Sequence, residues 1–295
     1  MTRSIRLGIL WLGLVSLVAA SSVACAALPD TVKGSFERTL KVSGPADIDV
    51  NTGSGNITVR PGDGSTVRIV GTIHAWARWL DGEAAARERV RRLEANPPIE
   101  QHGNVIRIGH IEERELQRNV GISYEITLPA ESRVRTNTGS GDIDLSRIRG
   151  SAGANTGSGN ITIAQSSGQV RATTGSGNIR LDLAGGDVRA STGSGNIHAS
   201  GLAGALRAST GSGNITAEGN PGGAWDLETG SGNVTARLSS DAGFEVDAHT
   251  GSGGIRTNHP ITILGTFGKD TLRGTVRGGG PRLVIRTGSG GIRIE

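Results

Sequence analysis

The tetrapeptide Thr-Gly-Ser-Gly begins at Thr52, Thr138, Thr156, Thr174, Thr192, Thr210, Thr229, Thr250 and Thr287, and from Thr138 to Thr210 it returns every 18 residues. A fixed period of this length identifies a repeat architecture before any single motif does. The residues that follow each turn alternate: Ile161 and Ile163, Ile179 and Leu181, Ile197 and Ala199, Ile215 and Ala217, Val234 and Ala236 share one parity. A second alternating run leads into the next turn and pairs Val170 with Ala172, Val188 with Ala190, Leu206 with Ala208, Trp225 with Leu227 and Val246 with Ala248. Period two is the signature of a strand with one buried face, so each unit supplies two strands.

The expected fold is all-β: a parallel, β-helix-like solenoid of about 18-residue coils with two strands each, in which equivalent strands stack about 4.8 Å apart. Composition supports it. With 48 Gly against 3 Phe and 1 Tyr, the chain lacks the large side chains that fill a sandwich or barrel, whereas a thin coil packs with Val, Ile, Leu and Ala. A lone coil buries almost nothing, so stability depends on neighbours. The two turn glycines serve positive φ and close stacking of corners. Asn56, Asn160, Asn178, Asn196, Asn214 and Asn233, with Asp142, occupy one register and are read as a ladder that caps turn backbone groups.

Several stretches depart from the repeat. Residues 28–50 read as an opening strand pair. Ala86, Val90 and Leu93 fall at helical spacing before Pro97-Pro98, which predicts an inserted amphipathic helix over about 82–96 that covers an end or edge. Strands resume at Asn104–Ile108 and Ile122–Leu128. The regular repeats run over 138–255, and the irregular stretch that follows, ending in Leu283-Val284-Ile285, is expected to close the stack.

Arg3 and Arg6, an apolar run from Leu7 to Ala20 and small residues beyond it read as a signal peptide over 1–26. Residues 27–295 then form a single solenoid domain. Ala24-Cys25-Ala26 fits ordinary cleavage, the preferred reading, and Ser22-Val23-Ala24-Cys25 resembles a lipobox, in which case the signal ends before Cys25 and that residue carries lipid. The expected location is extracytoplasmic: periplasm, cell surface or medium, with a membrane contact only through Cys25. Once Arg3 and Arg6 are set aside from the 31 Lys and Arg residues, the remaining 29 nearly balance the 27 Asp and Glu, so no nucleic-acid partner is expected.

The turns Thr-Gly-Ser-Gly-Asn/Asp-Ile, the segment Ser123-Tyr124-Glu125-Ile126-Thr127-Leu128-Pro129-Ala130 and the closing Thr287-Gly288-Ser289-Gly290-Gly291-Ile292 together resemble the bacterial putative-adhesin family of β-strand-repeat proteins of unknown function. The resemblance implies an envelope or surface solenoid and brings no catalytic residues with it.

One row stands out chemically. Arg171, Arg189 and Arg207 share an outward register in three successive coils, continued by Asp226 and Asp247. Stacked guanidinium groups suit an anionic envelope polymer, and the plainer reading is a solvated face with Asp182 or Asp187 as counter-charge. Asp144, Thr162, Arg180, His198, Thr216 and Thr235 change type from coil to coil, and His198 and His249 stand alone, so no catalytic, cofactor or metal residue is assigned. Trp76 and Trp79 are the one exposed aromatic pair expected. The chain is therefore read as a non-enzymatic structural or interaction protein whose partner is an envelope polymer or protein. A polysaccharide-active β-helix enzyme or a dedicated anionic-glycan binder is the alternative.

Overall fold

A computed structural model of the chain describes residues 31–62, 64–77, 82–183, 185–263 and 268–295. The signal segment and Cys25 lie outside them, as does Trp79. Two sheets face each other, one of 12 and one of 13 strands among the described residues. The upstream sheet collects the strands that lead into the corners, such as Val170–Ser176, Val188–Ser194 and Leu206–Ser212; the downstream sheet collects those that follow, such as Ile161–Ser166, Ile179–Leu183 and Ile197–Leu202.

Within the regular repeats the pairings are parallel, and in register apart from shifts at the downstream strand ends, between Ala164 and Ser166 and between Ala199 and Leu202. Ile161 lies beside Ile143 and Ile179, Ile179 beside Ile197, and Ile197 beside Ile215. Each is at most 1 % exposed. The upstream sheet contributes Val170, Val188 and Leu206, adjacent in the same way and also buried. One continuous slender core results, in which each fully buried aliphatic side chain contributes roughly 1.5–3 kcal/mol. Where Ala217 and Ala236 narrow the downstream side, the upstream strands leading into those coils bury Leu206 with Ala208 and Trp225 with Leu227, and the Trp225 indole donates to the Gly204 carbonyl at 3.1 Å.

The corners are the closest points of the stack. A Cβ at Gly193 would lie 2.7 Å from the Gly175 carbonyl oxygen, and one at Gly195, where φ is 147°, would lie 2.0 Å from that of Gly177. The first glycine of the turn is thus required by proximity and the second by proximity and conformation together. Polar groups there are partnered coil to coil. The Gly195 N–H donates to the Ser212 carbonyl at 2.9 Å, the Thr192 hydroxyl donates to the Gly177 carbonyl at 3.0 Å, and the Asn196 N–H donates to Asn178 Oδ1 at 2.9 Å. The threonine is buried, and its hydroxyl bond recurs at Thr138, Thr156, Thr174, Thr210, Thr229, Thr287 and Thr250.

At the amino-terminal end the anticipated opening pair does not form. Thr31–Lys41 pairs antiparallel with Thr66–Trp76, while Asp47–Ser54 joins the other sheet beside Arg133–Ser140. The bend at Gly44 and Pro45 separates them, and Gly44 has φ 150°. Helix Gly82–Ala95 buries Ala86, Val90 and Leu93 against the antiparallel strands Thr31–Lys41 and Thr66–Trp76. Glu94 Oε1 accepts the Ser35 N–H at 2.9 Å and Lys41 O accepts from the Gln101 amide at 2.7 Å, so side chains occupy part of an otherwise open edge.

At the carboxy-terminal end the irregular stretch does close the upstream sheet, through Thr271–Val276 and Ile261–Ile263, but Leu283-Val284-Ile285 at its end does not share that place. The last coil does not close the stack; it is inserted one place inward. Arg282–Ser289 lies between Trp225–Ser231 and Phe244–Ser252, and Ile292–Ile294 lies between Val234–Leu238 and Ile255–Thr257. The outer coil is covered in the upstream sheet by the antiparallel strand Thr271–Val276, followed by Ile261–Ile263. Asp247 joins the two neighbours of its strand, accepting from Arg273 at 3.2 Å and Arg282 at 3.0 Å. Burial opposes its ionisation, but the two guanidinium groups outweigh burial and hold the carboxyl below its ordinary value.

Two outcomes follow from this packing. Removing the last coil of a simple linear stack costs one interface, but here truncation after Gly280 removes both faces of an internal coil. Hydrogen exchange should show residues 244–276 losing protection while 152–217 keep it; retained protection in 244–276 would contradict the inserted order. Thr192→Val, which keeps shape and removes the hydroxyl donor, should lower urea-unfolding stability by about 1–3 kcal/mol, and Thr192→Ser should lower it less. Equal losses for Val and Ser would detach the effect from the hydroxyl.

Candidate functional site: a cationic face on the upstream sheet

Side chains of even and odd positions leave the upstream strands on opposite sides, so when Val170, Val188 and Leu206 point inward, Arg171, Arg189 and Arg207 point to solvent. The three arginines are register partners, Arg171 beside Arg189 and Arg189 beside Arg207. From the first to the third is two strand spacings, roughly 10 Å. They border a shallow groove of about 620 Å³ that is also lined by Arg133, Arg135, Gln169, Asp187 and Asp226. Five arginines against two aspartates make it cationic.

The charges are unevenly compensated. Arg207 approaches Asp226 only at 3.9 Å, and at the other end Arg135 and Arg133 share Asp47 at 3.1 and 3.9 Å. Among the described residues no carboxylate lies within ion-pair distance of Arg171 or Arg189. Asp187 is occupied otherwise, accepting the Ala205 N–H at 3.0 Å, and Asp182 sits in the downstream sheet beside Ser200. Arg171 and Arg189 therefore carry like charges side by side, which costs free energy. A single exposed ion pair is worth at most about 1 kcal/mol, so affinity for an anion at this face would require several contacts at once.

Arg135 belongs to this face and was not singled out from sequence. The signal for it was present: Arg135 precedes Thr138 by the same interval that separates Arg171 from Thr174. Gly153, the register partner of both Arg135 and Arg171, interrupts the row.

The Asn row lies elsewhere, at the corners. Asp142, Asn178, Asn196, Asn214, Asn233 and Gly291 each donate a backbone N–H to the preceding side-chain oxygen in this register, at 2.8 to 3.0 Å, from Asn56 through Asn160 to Asn233. The Asn160 N–H donates likewise to Asp142 at 2.7 Å. Side-chain amide-to-amide contacts are longer, 3.4 Å from Asn178 to Asn160. These side chains are thus engaged with the backbone.

His198 lies in the downstream sheet beside Arg180 and Thr216, and His249 lies in the upstream sheet, its Nδ1 3.2 Å from Thr271 Oγ1, so the two are not brought together. No group of three or more His, Cys, Asp or Glu side chains among the described residues could hold a metal ion, and no helix among them is long and apolar enough to cross a membrane. Trp76 is 37 % exposed and Trp225 is fully buried.

These features define a two-sheet parallel β-solenoid that displays one cationic face. The chain belongs to the Toastrack DUF4097 family, whose model matches residues 46–295, in keeping with the resemblance carried by its turns. Among solved structures it is similar to a "putative adhesin" from Bacteroides fragilis, 14 % identical over 89 % of this chain and 97 % of that one with a TM-score of 0.48. It is also similar to a "putative cell adhesion protein" from Clostridium sporogenes, 14 % identical over 89 % and 99 % of the two chains with a TM-score of 0.29. No curated protein matches the sequence.

If the groove acts as one cationic surface, its own charges should repel. Replacing Arg189 alone with Gln should leave stability unchanged or raise it by a few tenths of a kcal/mol at low ionic strength, an effect that salt removes. A salt-independent loss of stability on thermal unfolding would instead make Arg189 a packing residue.

Proposed function

We propose that this protein is a non-enzymatic, exported solenoid of the cell envelope or surface that holds an anionic polymer along its cationic face. The observation that carries the reading is the in-register row Arg171, Arg189 and Arg207, of which Arg171 and Arg189 lack an acidic partner among the described residues. Parallel stacking sets the guanidinium groups at regular intervals on a rigid sheet, so little conformational entropy is lost when a chain of carboxylates or phosphates aligns with them. Each guanidinium offers a planar fork of donors matched to such oxyanions. Membership in the Toastrack family supports a structural or interaction role. The signal-like leader supports export, and lipid at Cys25 would tether the solenoid to a membrane.

Retention on immobilised alginate or heparin tests this directly. The intact protein should be retained at about 0.1 M salt and released well before about 1 M, because screening shortens the reach of each charge. Changing Arg171, Arg189 and Arg207 together to Ser should abolish retention without altering the unfolding midpoint. Retention that is the same for both proteins, or insensitive to salt, would remove the arginine face as the binding surface.

A further inference from the structure

A second concave site lies at the amino-terminal end of the corner row, with different chemistry. Its volume is about 510 Å³, within the range of small-molecule sites, about 300–1,000 Å³. The first two corners form one wall through Asn51, Thr52, Asn137 and Thr138; the segment that closes this end supplies the other through Ile111, Gln117, Val120, Ile122 and Tyr124. None of the lining residues is charged.

The polar groups here are only partly used. Asn137 donates to Asn51 Oδ1 at 3.0 Å and Asn51 donates to Asp49 at 2.9 Å, which leaves the Asn137 Oδ1 and further amide hydrogens available. The Gln117 amide donates to the Ile111 carbonyl and keeps its own oxygen. Tyr124 is 1 % exposed, and its hydroxyl has no hydrogen-bond partner among the described residues. Such a group costs about 1–3 kcal/mol when left unmatched. Burial also pushes the phenol above its ordinary pKa, so it stays a neutral donor and acceptor. Gly109, at φ 83°, lets the backbone pass close beside it: a Cβ there would stand 1.7 Å from the Asn51 carbonyl oxygen and 3.2 Å from the Tyr124 hydroxyl. Just outside, the Trp76 ring covers Gly121, where a Cβ would come within 3.0 Å of it, leaving an aromatic surface partly exposed next to the site.

We infer that this pocket binds one uncharged sugar unit of a glycan, its hydroxyls paired with Asn137, Gln117 and Tyr124 and its apolar face against Ile111, Val120 and Ile122. Neutral amides and a phenol facing aliphatic side chains match the two-sided character of a pyranose, and the absence of charged lining disfavours an acidic sugar. The reading is independent of the arginine face, although both sites use strand Arg133–Ser140.

The test is titration of the full chain with maltose, cellobiose and N,N′-diacetylchitobiose, followed by saturation-transfer NMR and calorimetry, with glucuronate as the charged control. At least one neutral disaccharide should bind with a Kd of roughly 1 mM or tighter, and glucuronate should bind about tenfold more weakly or not at all. Tyr124→Phe and Asn137→Leu should each weaken sugar binding by about tenfold or more, with the unfolding midpoint of Tyr124→Phe unchanged or raised. The inference is overturned if no sugar binds up to roughly 10 mM, if both variants bind as the parent does, or if glucuronate binds as well as the neutral sugars. A destabilised Tyr124→Phe in a protein that binds no sugar would show that the phenol serves an ordered water only.

Discussion

The approach of successive corners to within van der Waals contact governs the rest of the molecule. At Gly193 and Gly195 there is no room for a side chain between one coil and the next, and that closeness lets a threonine hydroxyl and an asparagine carbonyl reach across to the neighbouring backbone. Register is set there. A shift of one residue would break the hydroxyl and amide bonds at the corner and turn every inward aliphatic residue outward. The same in-register stacking that builds the apolar core therefore also lines up whatever the outward positions carry, which is how three arginines come to form a row.

Much of this was legible because the period appears directly in the sequence. Ile161, Ile179, Ile197 and Ile215 are neighbours because the 18-residue interval leaves them no alternative register, and Arg171, Arg189 and Arg207 follow from the same interval. The buried role of the turn threonine was not read, although its invariant place before the glycines was visible, because Thr has no strong preference for core or surface. The order of the last coils was not legible at all. Thr250 and Thr287 head turns of the same sequence, Thr-Gly-Ser-Gly-Gly-Ile, and local sequence cannot say which of two such units sits next to Trp225. That choice is made by tertiary contacts: Asp247 between Arg273 and Arg282, and Glu295, whose N–H donates to the Ala236 carbonyl at 2.9 Å while its carbonyl accepts from Leu238 at 2.7 Å.

The ends of the stack illustrate how a solenoid limits its own growth. Asn233 Oδ1 accepts the Gly291 N–H, and because Gly291 and Gly254 replace asparagine in the two outermost corners, the ladder stops there. Antiparallel strands cover the upstream edge at one end and both edges are modified at the other, where the first two corners and the Gly109–Tyr124 segment also form the neutral pocket. The two proposed binding surfaces accordingly lie where the repeat is decorated or broken, on an outward arginine row and at a closed end.

Disulfide trapping across one coil interval is the most direct measurement of the stack. In a chain with Cys25 replaced by Ser, Thr173→Cys paired with Ser191→Cys places the two thiols on adjacent register partners, inside the about 4.4–6.8 Å Cα separation that a disulfide requires. Thr173→Cys paired with Ser209→Cys doubles the separation. Rapid, near-complete oxidation of the first pair within monomers and none of the second is the expected result; equal trapping of both pairs, or preferential trapping of the second, would contradict the in-register stack.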